Sequence, residues 1–197
     1  MKTLAILGVI AAFIGFFTCG TYNGVVSADQ TVKRDLGDLD AVYQRRVDLV
    51  PNLVKTVQAA ATFEKGTFTE IAAARAAAGQ MHLTASDIDD PKKLAAFSAA
   101  QSALGSSLTR LLAVAENYPQ LHATEAYRDL MTQLEGTENR IQTERHKLNG
   151  AISSYNQQVL GFPGGFVVRG FGFKERAMFE AAAGAEKAPV VDFGGAK

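Results

Sequence analysis

The opening of the chain limits its fold more than any other feature. From Thr3 to Ala28 no residue carries a formal charge, and the apolar density is greatest over Leu4–Phe17. A run of this kind must meet a bilayer: about 20 apolar residues span a hydrocarbon core, and 10 to 14 suit a signal-peptide core. The leading reading is an uncleaved anchor over residues 1–26, completed by the uncharged stretch Thr18–Val26 with Tyr22 at the interfacial level. Two alternatives keep the protein at a membrane or outside it. Lipidation at Cys19, the sole cysteine, would replace a span by an acyl anchor, although Phe16-Phe17-Thr18 is bulkier than a lipidation site prefers. Cleavage near Val26-Ser27-Ala28 has the small residues a signal peptidase needs, but lies far from the apolar run. Lys2 and the α-amino group favour an amino terminus inside and a bulk facing out of the cytoplasm, with Lys33 and Arg34 competing on the other flank.

The rest reads as helices. Val25, Val32, Leu36, Leu39, Tyr43, Val50, Leu53 and Val57 follow a three-four stagger, a heptad stripe in which Arg46 fills the turn that lacks an apolar member. Pro51 lies inside this helix, removes a backbone donor, and predicts a kink or local rearrangement. A second, alanine-rich helix is expected over Phe63–Gln80 with Gly79 as its stop. A third runs from Pro91 to Asn117 after an acidic loop, closed by Pro119. The fourth, Thr124–Leu160, repeats Leu130, Leu134, Ile141, Leu148, Ile152, Tyr155 and Val159 over roughly 50 Å. The fold class is therefore all-α: an amino-terminal membrane helix, an antiparallel bundle of about four long helices over 27–160, and a Gly/Phe-rich tail over 161–197. The tail phenylalanines are expected to pack back on the bundle rather than form an exposed docking segment.

Twenty basic residues balance twenty acidic ones, so no overall field draws the chain to nucleic acid. One cysteine excludes an internal disulfide framework.

Several strings, in order, resemble the LemA family of membrane-associated helical proteins: Tyr22-Asn23-Gly24-Val25-Val26, Tyr43-Gln44-Arg45-Arg46-Val47-Asp48-Leu49-Val50-Pro51-Asn52-Leu53-Val54, Ala74-Arg75, Leu111 to Pro119 with Glu116-Asn117-Tyr118, Leu134 to Ile141, Tyr155-Asn156 and Phe162-Pro163. The resemblance covers about Tyr22 to Phe193. It implies a membrane segment followed by an antiparallel helical bundle, and it implies no catalytic residues.

The polar strings are the candidate site: Arg45, Arg46, Asp48 and Asn52 beside Pro51, Glu116 and Asn117 at the end of the third helix, and Glu135, Glu138, Asn139 and Arg140 on the fourth. Buried charges persist only when paired, so Arg46 facing Glu138 or Glu116 would set helix register. A competing reading makes Arg46, Asn52 and Glu138 a ligand site or the site of an accessory enzyme. Known catalytic signatures are missing. The residues three before His82, His122 and His146 are Gly79, Pro119 and Thr143, so the Glu-x-x-His of di-iron bundles is absent, and no zinc, nucleophile-elbow or phosphate-loop pattern occurs. No metal, no cofactor and no catalytic group is expected. The expected role is a non-enzymatic interaction or scaffold protein docking an unidentified membrane or envelope partner.

Overall fold

A computed structural model of the chain describes residues 2–60 and 65–179. Phe63, at the expected start of the second helix, and the tail segment beyond residue 179 lie outside the described residues.

The architecture is helical. Lys2–Gln58 forms α1, a single helix of 57 residues that stretches roughly 85 Å at 1.5 Å per residue. It runs unbroken through residue 26, so the apolar segment and the first bundle helix are continuous. Lys65–Gly79 (α2) ends at the expected glycine, and Pro91–Glu116 (α3) starts at the expected proline. There Asp90 caps the helix by accepting from the Lys92 N–H at 2.9 Å. Pro119–His122 forms the short α4. Glu125–Leu160 forms α5, with Thr124 as its cap rather than its first helical residue. Gly164–Gly170 (α6) is a short helix that the glycine content of the tail concealed. The bundle thus adds two short helices to the four expected ones.

The long pair, α1 and α5, is antiparallel. Gly24 lies against Gln158, and 22 residues further along α1, Arg46 meets Glu138, 20 residues back along α5. Every apolar member of the α1 stripe is buried. Arg46 is not its only polar member, as the sequence reading had it: Asp29 fills the slot between Val25 and Val32 and is also buried.

Two core clusters result. One joins Val25–Tyr43 of α1 to Ile141–Val159 of α5, the start of α3 and the tail; the other joins Val47–Val57 to α2, the second half of α3 and Tyr127–Leu134. Between them lie the buried polar side chains of Arg46, Gln101 and Thr137.

The rearrangement at Pro51 is a change of donor. In a regular helix the N–H of residue 51 would bond the carbonyl of Val47, and proline has none. Arg75 of α2 supplies the replacement, its Nε donating to Val47 O at 3.2 Å. This links two of the family strings by one hydrogen bond. Arg75→Ala is expected to cost about 1.5–3 kcal/mol in the native background, the usual worth of a bond from a charged donor. With Pro51→Ala, which restores the helical N–H, the same change should cost about 1 kcal/mol less. Chemical unfolding of the four variants measures that coupling, and purely additive effects would rule out the compensation.

Candidate functional site

The polar layer opens into a cleft of about 820 Å³ between α1, α3, α5 and the returning tail. Its apolar wall includes Tyr43, Leu94 and Ile141, and its charged wall Arg46, Glu138, Arg145, Glu175 and Arg176. Arg46 enters because the heptad phase of α1 turns it inward, 3 residues after Tyr43 and 4 before Val50. Its side chain is nearly buried, and Nε stands 2.8 Å from Glu138 Oε1. The pair is ionic rather than a formed hydrogen bond, since the Nε–H is not aimed along the contact and this nitrogen has no hydrogen-bond partner. Glu138 is partly exposed and solvated, so the ion pair by itself contributes little.

Gly105 on α3 makes room for the guanidinium. A Cβ there would lie 2.7 Å from Arg46 Nη2. One turn earlier, Gln101 is 4 % exposed and its Oε1 is buried without a partner. Buried polar atoms are nearly always satisfied, so this acceptor stands out within the polar layer between the two core clusters. Tyr43 keeps its phenol proton: burial pushes its pKa up, and the nearby Arg145 and Arg46 charges only partly offset this.

The tail wall is built from residues that sequence reasoning missed. Arg176 is buried, with Nη2 2.8 Å from Asp29, Nε donating to Asp89 Oδ1 at 3.1 Å, and the guanidinium 4.4 Å from the centre of the Tyr155 ring. Its Nη1 is buried without a partner. The Asn156 side chain holds the Arg176 backbone on both sides, donating to its carbonyl at 2.8 Å and accepting from its N–H at 2.9 Å. Asn149, two turns earlier on the same face, grips Phe179 identically at 2.9 Å and 2.9 Å. Arg145 lies over the Phe179 ring at 5.3 Å.

Of the sequence-predicted residues, only Arg46 and Glu138 come together. Arg45 is exposed; Asp48 is exposed and accepts from Gln44 at 2.9 Å; Asn52 is exposed and outside the cleft. Glu116 and Asn117 are exposed at the far end of α3, so Arg46 faces Glu138 and not Glu116. Glu135, Asn139 and Arg140 point to solvent. Cys19 is an exposed free thiol on α1. Among the described residues no three His, Cys, Asp or Glu side chains are grouped as a metal site would need.

Among the described residues one helix, α1, is long and apolar enough to cross a membrane, and its apolar segment is not buried against the rest of the protein. The LemA family profile matches residues 35–193. The chain belongs to the LemA family. As a LemA-family protein it is similar over 196 residues, at 28 % identity, to the magnetosome proteins MamQ 1 and MamQ 2 of Paramagnetospirillum magneticum, with 91 % of this chain and 71 % of those proteins covered. It is 26 % identical over 174 residues to magnetosome protein MamQ of Magnetospirillum gryphiswaldense, covering 80 % of this chain and 64 % of that protein. This LemA-family chain is a membrane-associated helical protein.

Proposed function

We propose that this LemA-family protein is a non-enzymatic envelope component, anchored by the start of α1 with its bundle outside the cytoplasm, and that its cleft receives an extended segment of a membrane or envelope partner. The observation that carries this is the cleft of about 820 Å³, whose wall combines the apolar Tyr43, Leu94 and Ile141 with the polar Arg46, Glu138 and Glu175. A peptide segment suits such a wall, since it brings apolar side chains together with backbone N–H and C=O groups for the polar ones. The bundle already holds one extended segment in this way, since Asn149 and Asn156 grip the backbone of Phe179 and Arg176 through donor and acceptor together. Relatives named as magnetosome proteins fit a component of a larger assembly better than a free-standing catalyst.

Gly105→Ala separates this role from a purely structural one. The new methyl group displaces the end of a flexible side chain, which the fold tolerates, and alanine adds up to about 1 kcal/mol of helix propensity. With a photo-crosslinking residue at Ser102 on the cleft wall, the native protein in its own membranes should give a discrete adduct. Gly105→Ala should reduce that adduct about tenfold with an unchanged or raised melting temperature. An adduct of undiminished yield would refute the docking role of the cleft.

A further inference from the structure

Among the described residues, the tail phenylalanines that do not pack inward are gathered around α6. Phe162 is 87 % exposed, Phe166 72 % and Phe171 59 %, and Leu160 beside them is also exposed. All four belong to α6 or its flanks, and α6 is fixed against the spot where α1 leaves its apolar segment. A Cβ on Gly164 would lie 2.8 Å from Thr21 Cγ2, and one on Gly165 only 2.5 Å from the carbonyl oxygen of Val159, so two glycines allow this backbone to lie directly on α1 and α5. Tyr22 meets the Phe171 ring at 5.2 Å and the Phe173 ring at 5.9 Å, edge to face.

The level of this contact follows from helix geometry. From Lys2 to Tyr22 the helix rises about 30 Å, the thickness of a hydrocarbon core. Tyr22 therefore stands at the membrane surface, the depth at which aromatic side chains concentrate. The exposed phenylalanines of α6 and its flanks sit beside it, and the stretch of α1 that precedes Tyr22 is itself apolar and exposed. Arg169 lies over the Phe166 ring at 5.2 Å, a cation at the level of lipid headgroups.

We infer that Leu160, Phe162, Phe166 and Phe171 form an aromatic collar that inserts into the headgroup–acyl boundary of the membrane α1 crosses, so that the bundle is held at a set height and tilt by two contacts instead of swinging on one helix. The inference rests on α1 being a span. Four large apolar side chains clustered in water would be unfavourable, and burial in the boundary removes that cost.

The chain has no tryptophan, so single substitutions report depth directly. The full-length variants Phe166→Trp, Phe13→Trp and Gln120→Trp, reconstituted in vesicles of phosphatidylcholine brominated at shallow or deep acyl positions, give three readings. Gln120 is exposed on α4, at the other end of α5. Trp at 166 should be quenched at least twofold more by shallow than by deep bromines, Trp at 13 more by deep ones, and Trp at 120 by neither. If position 166 is unquenched while 13 is quenched, the collar is wrong and the span stands; if neither is quenched, both fail. Quenching of 166 chiefly by deep bromines would also overturn the interfacial placement. Phe162→Trp, at the most exposed of these positions, repeats the reading should Phe166→Trp fold poorly.

Discussion

Replacing Arg176 with alanine is expected to free the segment from Phe173 to Phe179 from the bundle while α1 and α5 stay paired. Breaking a buried ion pair typically costs about 3–5 kcal/mol, because the remaining charge is stranded. The lower end applies here, since Asp29 keeps Lys33 at 2.7 Å and Asp89 is partly exposed. About 3 kcal/mol corresponds to a loss of roughly 100-fold in the closing equilibrium. The N–H groups of residues 176 and 179, which donate to Asn156 and Asn149, are the reporters: their hydrogen-exchange protection should fall about 100-fold, with that of the α5 core unchanged. Equal protection in both proteins would mean that the asparagines alone hold the tail. The pair also has a pH signature. Burial by itself would push the Asp29 carboxyl up, but the Lys33 hydrogen bond and the Arg176 charge outweigh it and hold the pKa below the ordinary 3.8. A carboxyl lowered by folding stabilises fully above its unfolded value, and that contribution disappears as pH falls through the folded one. Tail protection should therefore be level from neutral pH to about 4 and decline below it, and Arg176→Ala should flatten that decline.

The helical frame was legible because helix phase is written in the spacing of apolar residues. The α1 stripe, the stop at Gly79 and the start at Pro91 each follow from local chemistry that needs no partner to be recognised. Asp29 was missed although its position was visible: the gap of seven between Val25 and Val32 contains one unfilled heptad slot, and Asp29 occupies it. The candidate polar residues were grouped by nearness in sequence, which helix phase contradicts. Successive residues turn by about 100°, so Arg45, Asp48 and Asn52 face away from Arg46. Arg176, Asn149 and Asn156 were hidden for another reason. An asparagine that grips a distant backbone looks like any polar helix residue until the tail lies beside it, and alternating glycine and phenylalanine carries no helical or strand period from which its path could be read.

Phe97→Ala should destabilise the whole domain rather than one segment. The ring is 2 % exposed and stands where three parts of the chain meet: it contacts Tyr43 of α1 edge to face at 5.1 Å and Phe179 of the tail at 6.4 Å, and it projects from α3. Truncating a buried phenylalanine costs about 3–5 kcal/mol through lost transfer energy and the cavity left behind. At about 2–4 °C per kcal/mol for a domain of this size, the melting temperature should drop by roughly 6–20 °C. Phe97→Leu keeps most of the apolar volume and should cost clearly less. The contrast with Arg176 is physical. Losing Arg176 removes a link between the tail and a bundle that retains its own core, whereas losing the Phe97 ring loosens α1, α3 and the tail together, so exchange protection should fall in all three. Loss of protection limited to residues 173–179 in Phe97→Ala would instead show that α3 is held to α1 by the second core cluster alone, with Arg46 and its neighbours as the true boundary between two independently stable halves.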